Sequence, residues 1–138
     1  TFEFWQRYAM ENGFDGGVLE YSLDGTTWFD ILAGDGGAIA ANPQRFLEGG
    51  YVARLSDVTS GNVLAGRDAW TGTQGTFVRT RVDLGDFAGT SMRLRFRVGT
   101  DSSFAPPNNG WWIDDVVRYG ANACTVPPPD ALFANGFE

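Results

Sequence analysis

SMRLRFRVG, residues 91–99, places Met92, Leu94, Phe96 and Val98 on one parity and Arg93, Arg95 and Arg97 on the other. Successive side chains of a strand point to opposite faces, so this period of two predicts an antiparallel strand with one face in the core and one in water. The same reading extends outward. TFVRTRVDL (76–84) alternates Val78 and Val82 against Arg79, Arg81 and Asp83, and WWIDDVVRY (111–119) reads as the last strand. Toward the other end, TFEFWQRYAM (1–10) alternates aromatic and polar residues up to a turn at Asn12-Gly13. GVLEYSL (17–23) and residues 26–32 form a hairpin around Asp24-Gly25, where glycine supplies the positive φ that such turns need. With a short strand at 51–55 there are about seven strands and no amphipathic helix, which predicts an all-β, antiparallel sandwich or barrel.

Between these strands, residues 33–50 and 61–75 are Gly-rich and read as loops, with Trp70 as a lid on the core. Trp5 and Trp28 are assigned to the core. Gly16-Gly17 and Gly49-Gly50 are read as turn glycines, since the strand-glycine-helix context and the lysine of a phosphate loop are missing. Pro127, Pro128 and Pro129 form an extended linker, so residues 1–120 are taken as the sandwich and 121–138 as linker and tail.

Composition narrows the function. A net charge of −7 repels phosphate backbones, which argues against nucleic acid as a partner. All ten basic residues are Arg. The absence of His removes the commonest general base and zinc ligand, and with them most triad and zinc-hydrolase chemistry. Cys124 is the lone cysteine and makes no internal disulfide. No apolar run approaches the ~20 residues that span a bilayer, so membrane insertion is not expected. The chain opens at Thr1 in strand-like sequence, as a trimmed precursor or a piece of a longer protein would. Seventeen acids make some close carboxylate pair inevitable, but so short a chain argues against a glycosidase cleft.

Three segments in order, FDGGVLEYSLDGTTW (14–28), LRFRVGTD (94–101) and GWWIDDV (110–116), resemble the MAM-like and cleaved-adhesin-like jelly-roll domains of secreted bacterial peptidases and adhesins, including immune-inhibitor-A-type metalloproteases. The resemblance covers most of residues 1–120. It implies a jelly-roll β-sandwich of galactose-binding-like shape, no catalytic residues, and often a calcium ion at one end. Such domains usually carry further sandwich sequence before the segment matching residues 2–8. The closing FANGFE (133–138) looks like tails of secreted gammaproteobacterial proteins, which implies an extracellular setting.

Guided by that resemblance, the calcium ligands are sought among the acids. Asp114 and Asp115 are adjacent in a strand, so one of them leans toward the interior or the edge. Calcium takes 6–8 oxygens, and Asp114 or Asp115 with Asp15, Glu20 or Asp101 is the candidate set. The plainer alternative is that these acids cap turns or pair with Arg93, Arg95 and Arg97. Trp111 and Trp112 point to opposite faces, and with Trp70 they are the candidate ligand contacts. The expected function is a non-catalytic accessory domain, with the rest of the parent polypeptide and an extracellular protein or glycan as partners. The alternatives are a carbohydrate-binding module and a small hydrolase.

Overall fold

The computed structural model describes residues 1–57, 61–102 and 109–120. Cys124, the proline linker and the tail lie outside the described residues. The strands are β1 (Phe2–Ala9), β2 (Gly16–Ser22), β3 (Phe29–Asp30), β4 (Phe46–Glu48), β5 (Ala53–Arg54), β6 (Asp68–Ala69), β7 (Thr73–Val82), β8 (Arg93–Gly99) and β9 (Gly110–Arg118). The only helical element among the described residues is a 3-10 turn at Gly85–Phe87. All pairing is antiparallel, in a four-stranded sheet of order β4-β7-β1-β9, a three-stranded sheet of order β3-β2-β8, and a small β5-β6 pair. The all-β antiparallel expectation holds.

The two larger sheets meet through aromatic side chains. From β1, Phe2, Phe4 and Tyr8 are buried, and the Phe4 ring lies 4.9 Å from that of Phe96 on β8. Leu19 and Tyr21 of β2 and Val82 of β7 complete the same core. Burying each such side chain contributes about 2–3 kcal/mol. A second, smaller core forms over β2, with Leu55, Leu64 and Ala69 against Val18.

Several residues read differently from their sequence. Residues 26–32 shrink to the two-residue β3, because the Asp24 carboxylate accepts the N–H groups of Thr26 and Thr27, both at 2.7 Å, and takes them out of any ladder. Val98 is 48% exposed, since its partner across the sheet, Gly17, brings no side chain to cover it. Trp5 is 37% exposed because β1 turns Phe2, Phe4, Gln6 and Tyr8 inward and leaves Trp5 outside. Trp28 is half-buried beneath the Arg95 guanidinium, 4.1 Å from its ring centroid. Gly16 and Gly17 are strand residues, not a turn: a Cβ on Gly17 would come within 2.6 Å of the Trp111 ring. Both presumed loops carry strands, β4 in 33–50 and β6 with the start of β7 in 61–75.

A buried arginine explains how the first of these segments is held. The Arg45 side chain is fully buried; it donates to the carbonyls of Ile31 and Ala40, pairs with Asp86 at 3.0 Å, and lies over the Phe87 ring. Carbonyls that would otherwise lack partners are thereby satisfied, and the segment is tied to the 3-10 turn.

Candidate functional site

Where the turn from β1 to β2 meets the end of β8, Glu11, Asp15 and Asp101 bring one carboxylate oxygen each within 4.8 Å of one another. Local hydrogen bonds build this rim. The Glu11 carbonyl accepts the N–H of Phe14 and Asp15, closing the Asn12-Gly13 turn and drawing residues 11 and 15 to one side. Thr71 Oγ1 also donates to that carbonyl, while Ser56 N–H and Asn62 Nδ2 donate to the carbonyls of Gly13 and Phe14. Asp101 follows β8, and its N–H donates to Asp15 Oδ1 at 2.9 Å.

Asp15 is buried, and Glu11 Oε2 is a buried oxygen without a hydrogen-bond partner. Neither acid pairs with an arginine among the described residues. Three converging carboxylates with an orphaned oxygen are electrostatically costly alone and suit a hard cation. Oxygens bound to one calcium at 2.3–2.6 Å lie at most about 5 Å apart, and the 4.8 Å spread fits that limit.

Of the five acids singled out from sequence, the fold brings Asp15 and Asp101 together and leaves three elsewhere. Glu20 is buried on the outer face of β2, where Arg67 at 2.5 Å, Arg95 at 2.6 Å and Arg97 at 3.6 Å surround it. Burial pushes its carboxyl pKa up, but the hydrogen bonds and charges of Arg67 and Arg95 outweigh this and hold it below the ordinary value. Its lone pairs serve arginines, not a metal. Asp114 and Asp115 are both exposed on β9, contrary to the expectation that one leans inward. The register moves from Glu3↔Val117 to Trp5↔Asp114, so β9 holds one extra residue, and Asp115 sits there at φ 48°. This bulge breaks the alternation. Glu11 was missed in sequence although the turn beside it was legible.

The tryptophans also separate. Trp70 is 1% exposed and Trp111 packs against it and against Phe96 inside the sandwich. A polar relay satisfies both indoles: Trp111 Nε1 donates to Gln6 Oε1, Gln6 Nε2 to Thr80 Oγ1, Thr80 Oγ1 to Gly49 O, and Trp70 Nε1 to the same carbonyl. They are core residues, which corrects their assignment as ligand contacts. Trp112 is 37% exposed on the outer face of the four-stranded sheet, as is Trp5.

No protein-family model matches the chain, and searches of curated proteins and of solved structures give no match either. The class that fold and site define is an all-β protein of antiparallel sheets with a carboxylate-rich rim.

Proposed function

We propose that the chain is a jelly-roll accessory domain of a secreted bacterial hydrolase, non-catalytic itself, that holds the parent protein at its substrate or stabilises it. Calcium is bound by Glu11, Asp15 and Asp101 as a structural ion. The convergence of those three carboxylates around an orphaned Glu11 oxygen carries the calcium reading. The nested pairing of β1 with β9, β2 with β8 and β4 with β7, an antiparallel ribbon folded over itself, supports the jelly roll.

A cation bound only to the native state raises stability by mass action, by about 2.7 kcal/mol at a hundredfold excess over Kd. Calcium is therefore expected to raise the melting temperature over chelated protein, and Asp15→Asn to abolish the rise. An unchanged melting temperature would rule the ion out. Removing residues 1–120 from the parent hydrolase is expected to lower turnover of its insoluble substrate and spare a small soluble one. Equal losses on both would end the accessory reading. A second reading, carbohydrate binding, is favoured by Trp5 and Trp112, which present indole rings on one open sheet face.

A further inference from the structure

We infer that the outer face of the β4-β7-β1-β9 sheet binds a glycan carrying carboxylated sugars, with Arg7 taking the carboxylate. The inference rests on the carbohydrate-binding reading and specifies its site and substrate class. Residues 5 and 7 of β1 point outward here, flanked by Phe77 and Arg79 on β7 and by Trp112 and Asp114 on β9.

Arg7 differs from the other arginines of this face. Arg79 pairs with Glu48 at 2.8 Å and Arg81 with Glu3 at 3.4 Å, whereas Arg7 has no carboxylate partner among the described residues. Its guanidinium lies 4.2 Å from the Trp112 ring centroid and 5.6 Å from that of Phe77, and its Nε is buried without a hydrogen-bond partner. Two rings thus hold a charge that no acid among the described residues neutralises. A guanidinium fork matches a carboxylate by parallel hydrogen bonds, and one held in place loses little freedom on binding.

Beside it lies a shallow cavity of about 430 Å³ whose lining includes Arg7, Tyr8, Ala9, Thr73, Gln74 and Trp112. Trp5 stands two residues before Arg7 on β1, about 7 Å away by strand geometry. Its exposed ring offers a stacking surface to the next sugar, and Asp114 opposite it is an acceptor for hydroxyls. Phosphate groups fit less well: a dianion calls for several arginines, and the neighbours Arg79 and Arg81 are already paired with Glu48 and Glu3. A sugar acid is singly charged and brings an apolar ring face.

The test is retention on immobilised polygalacturonate against the same polymer with its carboxylates methyl-esterified, and against cellulose. Wild-type protein is expected to be retained by the free acid. Arg7→Gln is expected to lose affinity about tenfold or more, the weight of a hydrogen bond to a charged group, and Trp5→Ala to weaken binding with an unchanged melting temperature. Retention by cellulose or the ester alone overturns the inference and leaves carbohydrate binding standing. Retention by none overturns both, and polygalacturonate binding that survives Arg7→Gln removes Arg7 from the site.

Discussion

Glu20 shows how a single side chain couples the fold to pH. Its carboxylate lies under Arg67, Arg95 and Arg97, and Arg67 reaches on to Asp30 at 2.7 Å, so one buried acid joins β2, β3, β8 and the chain around Arg67. Its pKa is lower in the folded protein than the ordinary value of about 4.3 of the unfolded chain. The stabilisation is therefore complete above that value and is lost as pH falls through the folded pKa. Glu20→Gln is expected to cost about 3 kcal/mol at pH 7, the range for breaking a buried ion pair, with the gap to wild type narrowing below pH ~4. Urea titrations at several pH values measure this, and a gap independent of pH would contradict it. The sequence showed Glu20 as an acid between apolar neighbours, which fits a metal ligand equally well. What decides its role is that Arg95 stands opposite it across the sheet, a pairing of residues 75 positions apart.

At the scale of an element, β9 departs furthest from its sequence pattern. Ile113 packs toward the core, Asp114 pairs opposite Trp5, and the bulge at Asp115 sends the rest of the strand outward, with Val116 and Val117 exposed. A bulge on an edge strand also discourages pairing with another chain. Holding a non-glycine residue in the left-handed region costs about 1–2 kcal/mol, and aspartate tolerates it better than most. Asp115→Gly is accordingly expected to preserve or raise the melting temperature, and Asp115→Val to lower stability by about 1 kcal/mol in chemical denaturation. If valine were neutral, Asp115 would not be under backbone constraint. Strands β1, β2, β8 and β9 were legible within a residue or two because their periodicity is local. The bulge was not: an inserted residue in WWIDDVV leaves no mark until the partner strand sets the register. In β1, aromatic residues at both parities hid which face was inner, and Trp5 was placed on the wrong side.

Across the whole molecule, stability comes from pairings between distant parts of the chain: β1 with β9, β2 with β8, and a core that collects rings from residues 2 to 111. Such contacts require closing long loops before any of them forms, so folding is expected in the millisecond-to-second range, slower than for a helical bundle of this size. Stopped-flow refolding monitored by tryptophan fluorescence measures it, and microsecond folding would contradict this topology. The same non-locality limited the reading of the rim. Glu11 and Asp15 are joined by a turn visible in the sequence, but Asp101 reaches them only because β8 pairs with β2 in one particular register. Arg45 was illegible for a related reason, since an arginine in a Gly-rich segment signals nothing until Ile31, Ala40 and Asp86 surround it.

Thr1 and Tyr119 exchange backbone hydrogen bonds at 3.0 and 2.8 Å, so the two ends of the β1-β9 pair leave the same edge side by side. Tension applied between those ends pulls across the ladder and opens its bonds one after another, as a zipper opens, instead of loading them together. Rupture then begins at Thr1 and Tyr119 and runs toward the carboxylate rim, so flow or drag on an anchored molecule would part the Val117–Arg118 end of β9 from β1 before Ile113 and Trp111 leave the aromatic interior.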